Sequence, residues 1–251
     1  MTPRERYRET LLFGAPDRVP LRPGGPREST LAAWHRQGLP QGVSYFDALL
    51  EILEIEPEPQ DPAVGLGVSF QMIPKFEERV LEHKDGHYVV QDWMGAITEI
   101  SDQYDYTYIR SAKDFVTRKW HKFPVQSRDD WERMKPRYHA KTPGRFPEDF
   151  DQRCAKLQNT THIVSFRFNG PFWQLREWVG MENLCMLTID DPDFVEEMID
   201  FWTNFVSETM GEILSRVRVD EVGISEDMAY KGYSMISPTM TRRFLAPAYN
   251  R

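Results

Sequence analysis

The sequence has almost no cysteine. Cys154 and Cys185 are its only two, 31 positions apart, and neither stands in a Cys-x-x-Cys or Cys-x-His pair. Read from the sequence they are free, reduced thiols, and no zinc site can be assembled from them. Long apolar runs are missing too: nothing approaches the 18 or so residues of a membrane span, and Met1-Thr2-Pro3-Arg4-Glu5 has no apolar signal core. A cytoplasmic protein without membrane partners is expected. Basic excess is absent, with 31 Lys and Arg against 39 Asp and Glu and a formal charge of −8. That balance argues against a general nucleic-acid binder. There is no Gly-rich phosphate loop, no Gly-x-Ser-x-Gly elbow and no short-period repeat, so nucleotide-binding, serine-hydrolase and solenoid readings lack support. The six histidines show no ligand spacing; His83 and His87 flank a turn and are expected to be solvated.

What is present is enough for a sizeable core: 40% hydrophobic and 13% aromatic residues over 251 positions. Thr2-Pro3-Arg4-Glu5 has the capping-box pattern, so a helix is predicted to start there and to stop near Gly14-Ala15-Pro16. Asp17 to Leu21 then reads as a short strand. The loop Arg22-Pro23-Gly24-Gly25-Pro26-Arg27 holds two arginines, and Ser29 or Thr30 is placed to cap the helix after it. The stretch from Pro57 to Pro62 reads as an acidic surface loop. Strands are expected from Phe76 to Ile100, as a β-hairpin turning at Lys84-Asp85-Gly86-His87. Asp129 to Met134 reads as a short helix, and the basic, turn-rich run from Arg137 to Pro147 as a surface crossing.

The strongest strand signal is Ile163 to Phe168, closed by Asn169-Gly170-Pro171 and followed at once by a helical pattern. Asp191-Pro192 opens the longest helix, whose stripe from Phe194 to Leu214 is core-forming. Asp220 to Asp227 is a strand ending in two acids, and Ser237-Pro238 caps a last helix. Strand and helix alternate through this half, which predicts a parallel βαβ arrangement.

In this order and spacing, four stretches resemble the uroporphyrinogen decarboxylase superfamily. They are the opening helix running into Pro16-Asp17-Arg18-Val19-Pro20, the stretch from Arg27-Glu28-Ser29-Thr30 to Gly38-Leu39-Pro40, Phe168-Asn169-Gly170-Pro171-Phe172-Trp173, and Asp227 to Ser237-Pro238. The resemblance implies one α/β domain over residues 1–251, a TIM (β/α)8 barrel with an inserted hairpin near 76–100. Arg18 to Leu21 is then strand one, Ile163 to Phe168 about strand four, and Val222 to Asp227 about strand five. The barrel is expected to be incomplete, with strands six to eight absent and self-association as the consequence.

Two chemistries share that scaffold by resemblance: corrinoid-linked methyl transfer or demethylation, and cofactor-free decarboxylation of a tetrapyrrole. A non-catalytic small-ligand barrel is the third possibility. The decarboxylases carry an arginine-rich loop after strand one, and here only Arg22 keeps that pattern, which favours methyl transfer. The zinc motif of the thiol-using methyltransferases belongs to the last part of the barrel, so no metal is assigned here; zinc and a corrinoid protein are expected only if the missing part carries that motif. The ligand expected is a small molecule, tetrapyrrole or corrinoid. Asp227 and Arg22 are the catalytic candidates. Arg27, Asn169, Gly170, Phe172, Trp173 and Trp178 are expected to bind substrate.

Overall fold

The computed structural model describes residues 1–58, 65–105 and 116–251. Residues 59–62 of the expected acidic loop lie outside them. Helix α1, Pro3–Leu11, opens on the predicted capping box: the Thr2 hydroxyl accepts from the Glu5 N–H at 3.2 Å and the Glu5 carboxylate from the Thr2 N–H at 2.8 Å. Arg4 ties the helix to the fold through a 2.8 Å ion pair with the buried Asp220. The expected strand over Asp17 to Leu21 is not formed; the segment has no strand pairing, and Val19 is 77% exposed. Pro16 and Pro20 remove ladder donors, and Asp17 is held instead by the guanidinium of buried Arg6. Helix α2, Glu28–Arg36, starts ahead of the expected Ser29 or Thr30 cap, with Arg27 at the N-cap and no side-chain capping bond. Helix α3, Tyr45–Ile52, follows.

The predicted hairpin is half of a larger unit. Strands β1 (Arg79–Lys84), β2 (His87–Gln91), β3 (Ile97–Ser101) and β4 (Arg118–Lys122) form one antiparallel sheet in chain order. Asp85 and Gly86 both take positive φ at the β1–β2 turn, 49° and 73°, which matches the twist of a two-residue hairpin. After helix α4, Arg128–Met134, the basic run does not cross the surface as expected, because Arg145 within it is fully buried. Helix α5, Phe150–Gln158, leads into the second half.

There β5 (Ser165–Asn169) and β6 (Glu221–Ser225) pair in parallel, Ser165 opposite Glu221 and Asn169 opposite Ser225. Helices α6 (Pro171–Val179), α7 (Met181–Asp190) and α8 (Pro192–Leu214) make the crossover. Asp191 caps α8, accepting from the Phe194 N–H at 3.2 Å, and Pro192 fills its first position. The stripe is core as expected over most of its length: Phe194, Met198, Trp202, Phe205 and Ile213 are buried, while Leu214 is exposed. Trp202 meets Tyr138 and Trp178 at 5.6 and 5.8 Å between ring centroids, and Trp131 meets Trp178 at 4.9 Å. A two-residue hairpin, β7 (Ala229–Tyr230) with β8 (Tyr233–Ser234), precedes the closing helical run that starts at Ser237-Pro238. Among the described residues no helix is long and apolar enough to cross a membrane.

Candidate functional site: a cleft at the strand ends of the parallel pair

The chain turns sharply where β5 ends. Gly170 donates its N–H to the Ser225 carbonyl at 2.7 Å and serves as N-cap of α6, with Pro171 at the first helical position. A Cβ on Gly170 would stand 2.2 Å from the Glu226 carboxyl carbon, so a side chain here would displace that carboxyl group. The Glu226 carboxylate accepts from the Trp173 N–H at 2.8 Å and the Phe172 N–H at 3.4 Å, and Tyr249 donates its hydroxyl to it. The first turn of α6 therefore gives its unpaired N–H groups to a carboxyl of the chain's own, which burial pushes above the ordinary carboxylate range against these hydrogen bonds.

Beside this turn opens a cavity of about 560 Å³, walled by Trp93, Trp173, Tyr138, Asn169, Gln174 and Glu177, with Arg167 and Ser225 on the strand side. A relay of side chains organises it. Glu177 accepts from the Trp173 indole N–H at 2.7 Å and from the Asn169 amide at 3.2 Å; that amide also donates to Gln174 at 3.2 Å. Gln174 and Trp178 both donate to the Tyr138 hydroxyl, at 3.3 and 3.1 Å. Trp173 and Glu177 can meet because residues four apart lie on one helix face. Burial pushes the Glu177 carboxyl above the ordinary carboxylate range; the Trp173 hydrogen bond opposes this and the Asp92 charge adds to it. Asp92 is also raised, chiefly by burial: its Oδ1 accepts from the Met94 and Ala96 N–H groups, while its Oδ2 is buried without a hydrogen-bond partner among the described residues.

The raised Glu177 fixes the sign of a pH effect. The folded chain holds this proton more tightly than the unfolded chain, so its contribution to stability is present at low pH and is lost as pH rises from the ordinary 4.5 through the folded value. Glu177→Gln is therefore expected to gain stability relative to the native chain as pH rises from about 4 to about 8. Urea unfolding across that range checks it, and a difference that stays flat overturns the burial of the charge.

The expected site residues separate. Asn169, Gly170 and Trp173 lie at the cleft. Phe172 and Trp178 are not walls of it, because both point into the core, with Trp178 fully buried under Tyr138. Asp227 is exposed, with φ at 43°, and its carbonyl accepts from Arg176 at 2.8 Å; Glu226 takes the inward position. Arg22 pairs with Glu221 at 3.0 Å and lies over the Tyr7 ring at 4.7 Å. Glu221 begins β6 while the cleft is at its end, four residues and so about 13 Å away. Arg22 is thus a partner at the opposite end of the strand, and Arg27, at the α2 N-cap, does not line the cleft either. Sequence reasoning missed Glu177, Gln174, Tyr138 and Asp92. The spacing Trp173-x-x-x-Glu177 directly after a βα turn was the available signal. Among the described residues no three His, Cys, Asp or Glu side chains gather as metal ligands; Cys154 is buried and Cys185 exposed.

No family model matches the chain, and no match is found among curated proteins or among solved structures.

Proposed function

We propose that the chain belongs to the uroporphyrinogen decarboxylase superfamily of cytoplasmic (β/α) barrels and acts in corrinoid-linked methyl transfer or demethylation, with the cleft at the end of β5 as its substrate site. The parallel β5–β6 pair with its helical crossover supports the first part, since barrel enzymes build their sites where strands end. One observation carries the chemistry: a carboxyl group, Glu177, raised by burial and held between an indole N–H and an amide inside an aromatic cavity.

Such a group suits general-acid work. As the bond from methyl to oxygen or nitrogen breaks, its electron pair stays on the heteroatom, and the Glu177 proton neutralises the departing group. Trp173 and Asn169 hold the carboxyl in place, and Trp93 with Trp173 limits water. The cobalt of a corrinoid protein would supply the methyl-accepting centre. The described residues do not fit a zinc site, so no step is assigned to zinc.

The test is anaerobic incubation with cob(I)alamin and a panel of O-methyl and N-methyl donors, followed by methylcobalamin absorbance. Turnover is expected, and Glu177→Gln is expected to lower it by about 100-fold or more. Carbon dioxide release from uroporphyrinogen without corrinoid would replace this reading by decarboxylation. Binding without either turnover would leave a ligand-binding barrel.

A further inference from the structure

A second cavity, of about 430 Å³, adjoins the first, and Trp173 and Glu177 line both. Its other walls come from the antiparallel sheet and the start of α7. Arg118 and Trp120 of β4, Phe123 just beyond it, Arg176 and Met181 face this space.

We propose that this second cavity is an anion subsite, in which Arg118 and Arg176 receive the carboxylate of a flat aromatic ligand whose ring lies along Trp173. It rests on the reading of the cleft as a ligand site and not on methyl-transfer chemistry.

The cavity wall holds two guanidinium groups against one carboxyl. That carboxyl, Glu177, already has its oxygens engaged by Trp173 and Asn169. Arg118 has no ion pair among the described residues; its guanidinium lies 5.5 Å from the Trp120 ring centroid, and burial pushes its pKa down against the pull of Asp92. A half-buried cation whose charged form is penalised by burial gains most from an anion brought to it. Arg176 uses one nitrogen on the Asp227 carbonyl and lies 5.2 Å from the Trp173 ring, and no ion pair takes its other donors among the described residues. An arginine fork of this kind matches a carboxylate by paired N–H bonds.

The remaining walls suit a ring. Trp120 stacks on Phe123 at 5.1 Å and 16° between planes, and Phe123 occupies the space that a side chain on Gly180 would need, 2.4 Å from where its Cβ would stand. Gly180 has φ at 82°, so the α6–α7 junction both requires glycine and leaves room for this aromatic wall. An occupant with an apolar plane and one negative end is complementary to both surfaces.

Calorimetric titration of the full chain with benzoate and with its neutral isostere benzamide tests this. Benzoate is expected to bind about tenfold or more tightly than benzamide, as one charge-assisted contact provides. Arg118→Gln and Arg176→Gln are each expected to abolish most of that preference. Equal affinity of the two probes, or no benzoate binding, overturns the subsite, and this comparison on the native chain stands even if a variant fails to fold. Because the readout is binding, loss of turnover in Glu177→Gln bears on the methyl-transfer reading alone.

Discussion

Replacing Arg145 with methionine is expected to lower the unfolding free energy by about 4 kcal/mol, near the cost of breaking a buried charged contact. Arg145 is fully buried, with no carboxylate partner among the described residues. Its guanidinium instead donates to the carbonyls of Ser69 at 2.8 Å, His139 and Arg137 at 3.3 Å each, and Gln71, and it lies 4.6 Å from the Phe205 ring centroid. Burial pushes it down to about 10, so it remains charged at neutral pH. Methionine fills the volume but leaves the Ser69 and Gln71 carbonyls without their donor, while those of Arg137 and His139 keep the backbone N–H groups of Ile73 and Thr142, and each buried orphan costs about 1–3 kcal/mol before relaxation. For a chain of this length the loss corresponds to a fall in Tm of about 8–16 °C, measurable by circular dichroism. Ser69 and Gln71 line the cleft, so ligand binding should weaken in parallel. A Tm within about 2 °C of the native value would show that water satisfies these carbonyls instead.

The second large effect is at Trp202, where alanine is expected to cost about 3–5 kcal/mol. The ring is 1% exposed and touches Tyr138, Trp178 and Phe205, so its removal leaves a void bounded by rigid aromatic neighbours. Its indole N–H also donates to the Asn169 carbonyl at 2.8 Å, which joins the core to the last residue of β5. Trp202→Phe separates the two contributions. It keeps most of the packing and loses the hydrogen bond, for an expected cost of about 1–2 kcal/mol. Thermal unfolding of both variants gives the comparison, and equal losses would mean that the hydrogen bond, not the ring, holds this junction.

Local rules were legible in the sequence wherever the chain's own neighbours settle the conformation. The capping box at Thr2 and Glu5, the positive-φ turn at Asp85-Gly86 and the proline-led start of α8 each depend on residues a few positions apart. The β5–β6 pair was readable for a related reason, since a strand followed by helices has few ways to return beside the next strand. Around 17–21 the same kind of reading failed. Extended residues between prolines look like a strand, but a strand needs a partner, and here Arg6 takes Asp17 instead.

The candidate site divides along the same line. Asn169, Gly170 and Trp173, which the structure places at the cleft, were named from sequence because the βα turn announces itself there and a helix N-terminus after a strand can approach a ligand. Glu177 was not, because a glutamate on a helix is ordinarily solvated; only the approach of Trp93, Asp92 and the antiparallel sheet encloses this one. Glu226 and Asp227 are adjacent acids of which the resemblance chose Asp227, but the Gly170 turn receives Glu226 while a left-handed backbone turns Asp227 outward. Arg145 and Arg22 changed places for the same reason: whether an arginine is a surface charge or a buried clamp depends on which carbonyls and carboxylates distant segments bring to it. Sequence alone determined the helix starts at Thr2 and Asp191, the hairpin turn and the parallel pair, because backbone hydrogen bonding and side-chain period act over short range. Only the tertiary structure decided which charges lost their water, since desolvation depends on everything that packs around a group and not on its neighbours in the chain.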